Sequence, residues 1–208
     1  MANLRLTEAM LEVCDYSDQT ILDIGCGDGT YTWAIWSLGK PRSIVAIDPA
    51  ASAIQSANER RQDENVEFVE GNAYQLDYPD NTFDVAMLRG VLHHLDNPEQ
   101  AIREALRVAK RVVVVEPNGY NPVLKIIEKL SAYHREHDEK SYSPALLDRW
   151  FNESGAGIAR YVYIGLVPMF CPDWMARILK AVEPFFEKLP VVRKLYCGQY
   201  VFCAERKS

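Results

Sequence analysis

The chain has 208 residues, 48% of them hydrophobic and 25% charged, a balance that excludes the disordered and low-complexity classes. Its formal net charge of -6 argues against DNA or RNA as a partner, because gripping a phosphate backbone takes clustered Lys and Arg. The five cysteines (Cys14, Cys26, Cys171, Cys197 and Cys203) form no CxxC pair, and their odd count does not suggest a disulfide framework.

Reduced thiols in a cytoplasmic protein are therefore expected. The first dozen residues mix Arg5 and Glu8 among the apolar ones, unlike the unbroken apolar core of a signal peptide. No run approaches the roughly 20 apolar residues of a membrane span, so no transmembrane segment is expected.

In chain order, residues 4–15 place Leu4, Leu6, Met10 and Leu11 at roughly helical spacing. Thr20 to Ile24 is a short apolar run closed by glycines, which predicts a buried strand and a turn. Residues 29–38 have helical length, and Gly39 with Pro41 stops them. Ser43 to Ile47 predicts a second strand ended by Asp48-Pro49, followed by a helix over 50–61. Val66 to Val69 and Thr82 to Leu88 predict the third and fourth strands. Asp96-Asn97-Pro98 opens a helix to about Val108, Pro98 suiting its first position. Val112 to Val115 is a continuous β-branched run, the mark of a strand covered on both faces.

Strand and helix alternating five times with short links predicts an α/β domain with a doubly wound parallel sheet. The rhythm then changes. Residues 122–140 predict a helical insertion, and Ser143-Pro144 opens a helix through Phe151, with Gly155 and Gly157 after it. Ile158 to Ile164 and Tyr200 to Ala204 predict two more strands. One domain over 1–208 is expected, with a core over about 18–120 and helical cover segments over about 122–140 and 165–195.

The densest signal is the stretch Ile21-Leu22-Asp23-Ile24-Gly25-Cys26-Gly27-Asp28-Gly29. Glycines at a strand-to-helix turn let the backbone bend sharply and let a ligand lie against the main chain. The helix behind them offers unpaired N–H groups that favour an anionic group. Asp48 ends the neighbouring strand 19 residues beyond Gly29, where a carboxylate can accept both hydroxyls of a ribose. The alternative role for Asp48 is to cap the helix over 50–61. A nicotinamide dinucleotide fits poorly, because Thr30 stands where G-x-G-x-x-G needs its third small residue.

Taken together, the segments D-I-G-C-G-D-G (23–29), A-I-D-P (46–49), G-N-A (71–73), N-T-F-D-V-A (81–86), V-L-H-H-L (91–95) and V-V-V-E-P-N (113–118) resemble the class I, Rossmann-like S-adenosylmethionine methyltransferases, in particular those acting on small molecules and lipids. The resemblance implies a seven-stranded sheet in the order 3-2-1-4-5-7-6 with the last strand antiparallel. It implies S-adenosylmethionine as cofactor and S-adenosylhomocysteine as product. By the same resemblance Asp23, Gly25 and Gly27 would line the methionine portion, and Asp48 would hold the ribose. Asn72 stands where the family often has an acid and would meet the adenine, Ala73 would leave room for the ring, and Arg89 would sit beside the sulfonium. Asn72 can otherwise be a turn residue after Gly71.

Methyl transfer from a sulfonium is an in-line displacement, so the protein's task is alignment in a dry site. A base is needed only when the acceptor carries a proton. His93 is the candidate base and His94 its neighbour; either can equally be a helix-start residue satisfied by local hydrogen bonds. Tyr120 can face the acceptor or be a loop aromatic. His134 and His137 lie on a polar stretch, and no metal is expected. Leu88-Arg89-Gly90-Val91 stands where methyltransferases of DNA bases resemble one another in an N-P-P-Y-like tetrad, which argues against that acceptor. Residues 165–195 carry Phe170, Trp174, Met175, Ile178, Phe185 and Phe186 with Arg177, Lys180 and Lys188 around them. This segment can pack on its own domain, form a lid over a hydrophobic acceptor, or contact a membrane surface or a second copy. The expected enzyme methylates a small-molecule or lipid-like acceptor. The alternatives are a catalytically silent domain that binds a partner, and an aminopropyl-type transferase using an altered cofactor.

Overall fold

The computed structural model describes residues 2–130, 141–165 and 189–207. Seven strands form one sheet: β1 (Thr20–Ile24), β2 (Ser43–Asp48), β3 (Val66–Glu70), β4 (Phe83–Arg89), β5 (Ala109–Pro117), β6 (Ala156–Ile164) and β7 (Gln199–Arg206). Their order is β3-β2-β1-β4-β5-β7-β6. The pairs β1–β2, β1–β4, β2–β3 and β4–β5 are parallel, and β7 runs antiparallel to both β5 and β6.

The helices are α1 (Ala2–Val13), α2 (Thr30–Gly39), α3 (Ala51–Glu59), α4 (Pro98–Val108), α5 (Pro122–Leu130), α6 (Pro144–Glu153) and α7 (Pro190–Tyr196), with a 3-10 turn at Leu92–His94. The start of α4 forms as its sequence dictates: Asn97 Oδ1 accepts from Gln100 N, and Pro98 supplies a fixed φ where no N–H is needed. Ser143 and Pro144 repeat the device for α6.

Strand β5 shows why the sheet is wound on both sides. Val112 and Val114 enter a core closed by Ile102 and Leu106 of α4 and Leu147 and Phe151 of α6. Val113 and Val115 enter the opposite core with Met10 of α1, Ile35 of α2 and Ile54 of α3. All four valines are buried, each contributing on the order of 1.5–3 kcal/mol relative to exposure.

Two boundaries differ from the sequence reading in an informative way. β6 begins at Ala156, because only Gly155 adopts positive φ (81°) and turns the chain. Gly157 lies within the strand, paired with Glu205, whereas the sequence places both glycines between the helix and a strand starting at Ile158. β4 begins at Phe83, since the Thr82 hydroxyl donates to Pro79 O and closes the preceding turn. The insertion expected over 122–140 is helical to Leu130; its remainder, with His134 and His137, lies outside the described residues, as does most of the cover expected over 165–195.

Candidate functional site

The carboxyl ends of β1, β2 and β4 meet at the glycine loop. Gly25 N and Cys26 N both donate to Ile47 O on β2, at 2.8 and 3.0 Å, which bends the chain off β1. Gly25, Gly27 and Gly29 all take positive φ (76°, 55° and 75°), a region costly to residues bearing a Cβ. The three glycines serve different ends. A Cβ on Gly25 would stand 2.5 Å from Val91 Cγ2, and one on Gly29 would stand 2.7 Å from the Phe68 ring. Those two positions are closed by packing. A Cβ on Gly27 would meet nothing within 4 Å, so this residue keeps an open face on the loop.

Asp48 is joined to that open residue. Its Oδ2 accepts from Gly27 N and its Oδ1 from Ala50 N, each at 2.9 Å. The N-cap of α3 is Ala50, without a side-chain cap, so Asp48 is not the helix's cap. A carboxylate has about four lone-pair sites, and two backbone donors leave capacity for a diol. Beside Asp48, a cavity of about 460 Å³ is lined by Pro49, Gly71, Asn72, Leu76 and Tyr78 among others. That volume is in the range that takes a nucleoside-sized ligand.

Asn72 borders this cavity, and its Oδ1 accepts from Tyr74 N at 2.9 Å, the turn role open to it in the sequence. One carbonyl lone pair is thereby used, and the NH2 group becomes its main polar offering. Ala73 is half-buried and packs against the core on the α4 side of the sheet.

Asp23 and Arg89 come together on the other side of the loop, with Gly25, Tyr31 and Met10, around a gap of about 20 Å³. Asp23 is buried, and loss of hydration raises its carboxyl to about 6 against the pull of the Thr32 hydroxyl, which donates to Oδ2 at 2.6 Å. The Arg89 guanidinium lies 3.6 Å above the Tyr31 ring and donates to Thr7 Oγ1 at 3.1 Å, tying α1 to the end of β4. Burial lowers the Arg89 pKa, opposed by nearby Tyr31 and Asp23.

After β4, Gly90 turns the chain with φ 65° while its N–H donates to Val115 O. His93 then sits on the 3-10 turn, its Nδ1 2.7 Å from Glu116 Oε2. Glu116 is wholly buried, and its Oε1 accepts from Val91 N and Leu92 N at 3.0 and 2.8 Å. Because Val91 packs on Gly25, the His93 turn abuts the glycine loop. His94 is exposed, with its ring centroid 4.0 Å from that of His93. Tyr120 lies farther along, 5.1 Å from Lys194 Nζ.

The fold thus gathers Asp23, Gly25, Gly27, Asp48 and Arg89 around one loop, with Asn72 and Ala73 on its β3 flank and His93 on its β4 flank. Sequence reasoning missed Glu116, Thr32 and Tyr31. An acid directly after four β-branched residues of a doubly covered strand was the available signal for Glu116.

Comparison with known proteins agrees with this geometry. Residues 22–115 match a family model described as a methyltransferase domain. An uncharacterised methyltransferase of Schizosaccharomyces pombe is 33% identical over 120 residues, covering 53% of this chain and 41% of its own length. A ubiquinone/menaquinone biosynthesis C-methyltransferase of Hahella chejuensis is 34% identical over 114 residues, covering 50% of this chain and 46% of its own. The chain thus matches less than half the length of either relative. A chain from the complex between the Haloferax volcanii Trm112 methyltransferase activator and a methyltransferase superposes with a TM-score of 0.77 at 16% identity, covering 99% of this chain and 90% of that one, a likeness of fold. The order β3-β2-β1-β4-β5-β7-β6 and the glycine loop tied to Asp48 thus occur in a chain that is similar to a methyltransferase domain over residues 22–115.

Proposed function

We propose that this chain transfers a methyl group from S-adenosylmethionine to a small-molecule or lipid-like acceptor. The observation that carries the reading is the junction of Gly27 and Asp48, an open main-chain face beside a carboxylate already oriented by two backbone donors. The residues fit the cofactor. Asp48 would take the ribose hydroxyls, Asn72 and Ala73 the adenine, and Asp23 with the loop backbone the methionine amino group, whose charge matches an ionised Asp23. Arg89 faces the same small gap, which is about one water in size. The methionine end would lie against this gap, with Arg89 beside the sulfonium.

When bound, S-adenosylmethionine supplies an activated methyl group on a good leaving group. The chain's own residues align it, exclude water and hold the acceptor. A greasy or aromatic acceptor is supported by the name of the Hahella relative and by the aromatic residues of the 165–195 segment. A cytoplasmic setting is part of this reading, in keeping with five cysteines, an odd count, without CxxC spacing. No helix of the described residues is long and apolar enough to cross a membrane.

The test is incubation of the purified chain with S-adenosylmethionine and a panel of hydroquinones, isoprenoids and fatty acids, read by mass spectrometry. The expected outcome is S-adenosylhomocysteine together with an acceptor heavier by one methyl. An aminopropyl adduct, or cofactor left intact with every acceptor, would contradict the reading.

A further inference from the structure

Most of the large apolar side chains left exposed among the described residues gather on one platform: Val123 and Ile126 of α5, Leu189, and Val191, Leu195 and Tyr196 of α7, with Val191 69% exposed. A protein surface ordinarily scatters such residues singly, so their gathering marks a contact face. The platform is held firmly. Asn121 Oδ1 accepts from Val123 N at 2.9 Å and starts α5, while its Nδ2 donates to Tyr196 O, also at 2.9 Å, and closes α7. Buried Asn118 donates to Lys194 O and Cys197 O. Both helices stand at the same end of the sheet, since α5 follows β5 and α7 leads into β7, where Gln199 pairs with Pro117. β5 runs parallel to β4, β1 and β2, so that end also carries the rim of Gly27, Asp48 and His93.

Charge decides what such a face can meet. α5 and the segment from Leu189 to Tyr196 carry Lys125, Lys129, Arg193 and Lys194 against Glu128 alone, in a chain whose formal net charge is -6. We propose that this platform docks on an anionic phospholipid bilayer, its apolar side chains entering the headgroup boundary and its cations meeting lipid phosphate. Helices that lie on a membrane combine these two classes, with aliphatic and aromatic chains immersed by about 5–10 Å and Lys and Arg at the charged layer. Tyr196 suits that depth, its ring apolar and its hydroxyl wet. The acidic remainder of the chain is repelled by the same surface, which turns the platform toward it. A second copy fits less well, because a twofold contact would set these cations against their own equivalents. A nucleic acid would use the cations and leave the apolar chains in water. Docked this way, the rim faces the bilayer, where an acceptor dissolved in lipid is reached without crossing water. That use in catalysis rests on the methyl-transfer reading; the docking does not.

The test is flotation of the full chain with phosphatidylcholine vesicles made with and without phosphatidylglycerol. Binding is expected only where phosphatidylglycerol is present, and it should weaken as salt is raised. Val191→Ser together with Leu195→Ser should lower it about tenfold or more. Lys194→Gln should lower it about fivefold at low salt. Leu38→Ser, at an apolar residue 46% exposed on α2, should bind like the parent. Every variant should unfold in urea near the parent's midpoint, which separates loss of docking from loss of fold. Equal binding to both kinds of vesicle, no binding by the folded parent, or binding untouched by the Val191 and Leu195 changes overturns the proposal. So does a dimer in sedimentation velocity that the same two changes dissolve, which would give the face to a second copy. Failure of the parent to bind S-adenosylhomocysteine in calorimetry would instead overturn the methyl-transfer reading and leave the docking standing.

Discussion

At the scale of single residues, the three glycines of the loop divide the work between folding and binding. Gly25 is closed by Val91, so Gly25→Ala meets both a strained φ and a clash, and should destabilise by about 3 kcal/mol in urea unfolding. Adding Val91→Ala removes the clash and leaves the φ cost. The pair should therefore be non-additive by about 1–2 kcal/mol, and strict additivity would contradict the packing account. Glycines at a strand end are legible in sequence, but which of them is open and which closed is not, since Val91 reaches the loop from the turn after β4 and Phe68 from β3. Asn72 makes the same point. Its residue type suits either an adenine contact or a turn, and only the 2.9 Å bond from Tyr74 N shows that the turn holds one of its lone pairs. Glu116 was passed over because an acid at a strand end ordinarily faces water, and the three groups that accompany its burial lie more than 20 residues earlier in the chain.

Between elements, Asp84 joins three neighbouring strands at the end of the sheet away from the site. Its Oδ2 accepts from the N–H and hydroxyl of Thr20 on β1, and its Oδ1 accepts from Lys110 Nζ on β5 at 2.7 Å. Lys110 first, and then Thr20, hold its carboxyl down at about 2, below the ordinary 3.8. A depressed carboxyl contributes stability that is present above its unfolded value and lost as pH falls through the folded one. Urea unfolding should therefore find Asp84→Asn less stable than the parent near neutrality, with the gap closing from about pH 4 to about pH 2. A gap that persists at the acid end would contradict the assignment. The elements themselves were largely readable: β-branched runs gave the inner strands, and Asn97-Pro98 and Ser143-Pro144 gave two helix starts. The early start of β6 was hidden because Gly157 looks the same as Gly155 in sequence, while the strand's register with β7 decides between them.

For the whole molecule, winding helices on both faces leaves the carboxyl ends of β1, β2 and β4 as the place where loops from different strands converge. That convergence brings Gly27, Asp48, Asn72, Arg89 and His93 to one rim although they span much of the first half of the chain. The central claim is that this rim grips an adenosyl ligand through the Gly27–Asp48 junction. Isothermal calorimetry of S-adenosylhomocysteine against the parent and Asp48→Ala tests it most directly. The account predicts saturable binding to the parent and a loss of about 1.5–3 kcal/mol in the variant, as for hydrogen bonds to a charged group. Absence of heat in the parent, or equal affinity in the two, would contradict it.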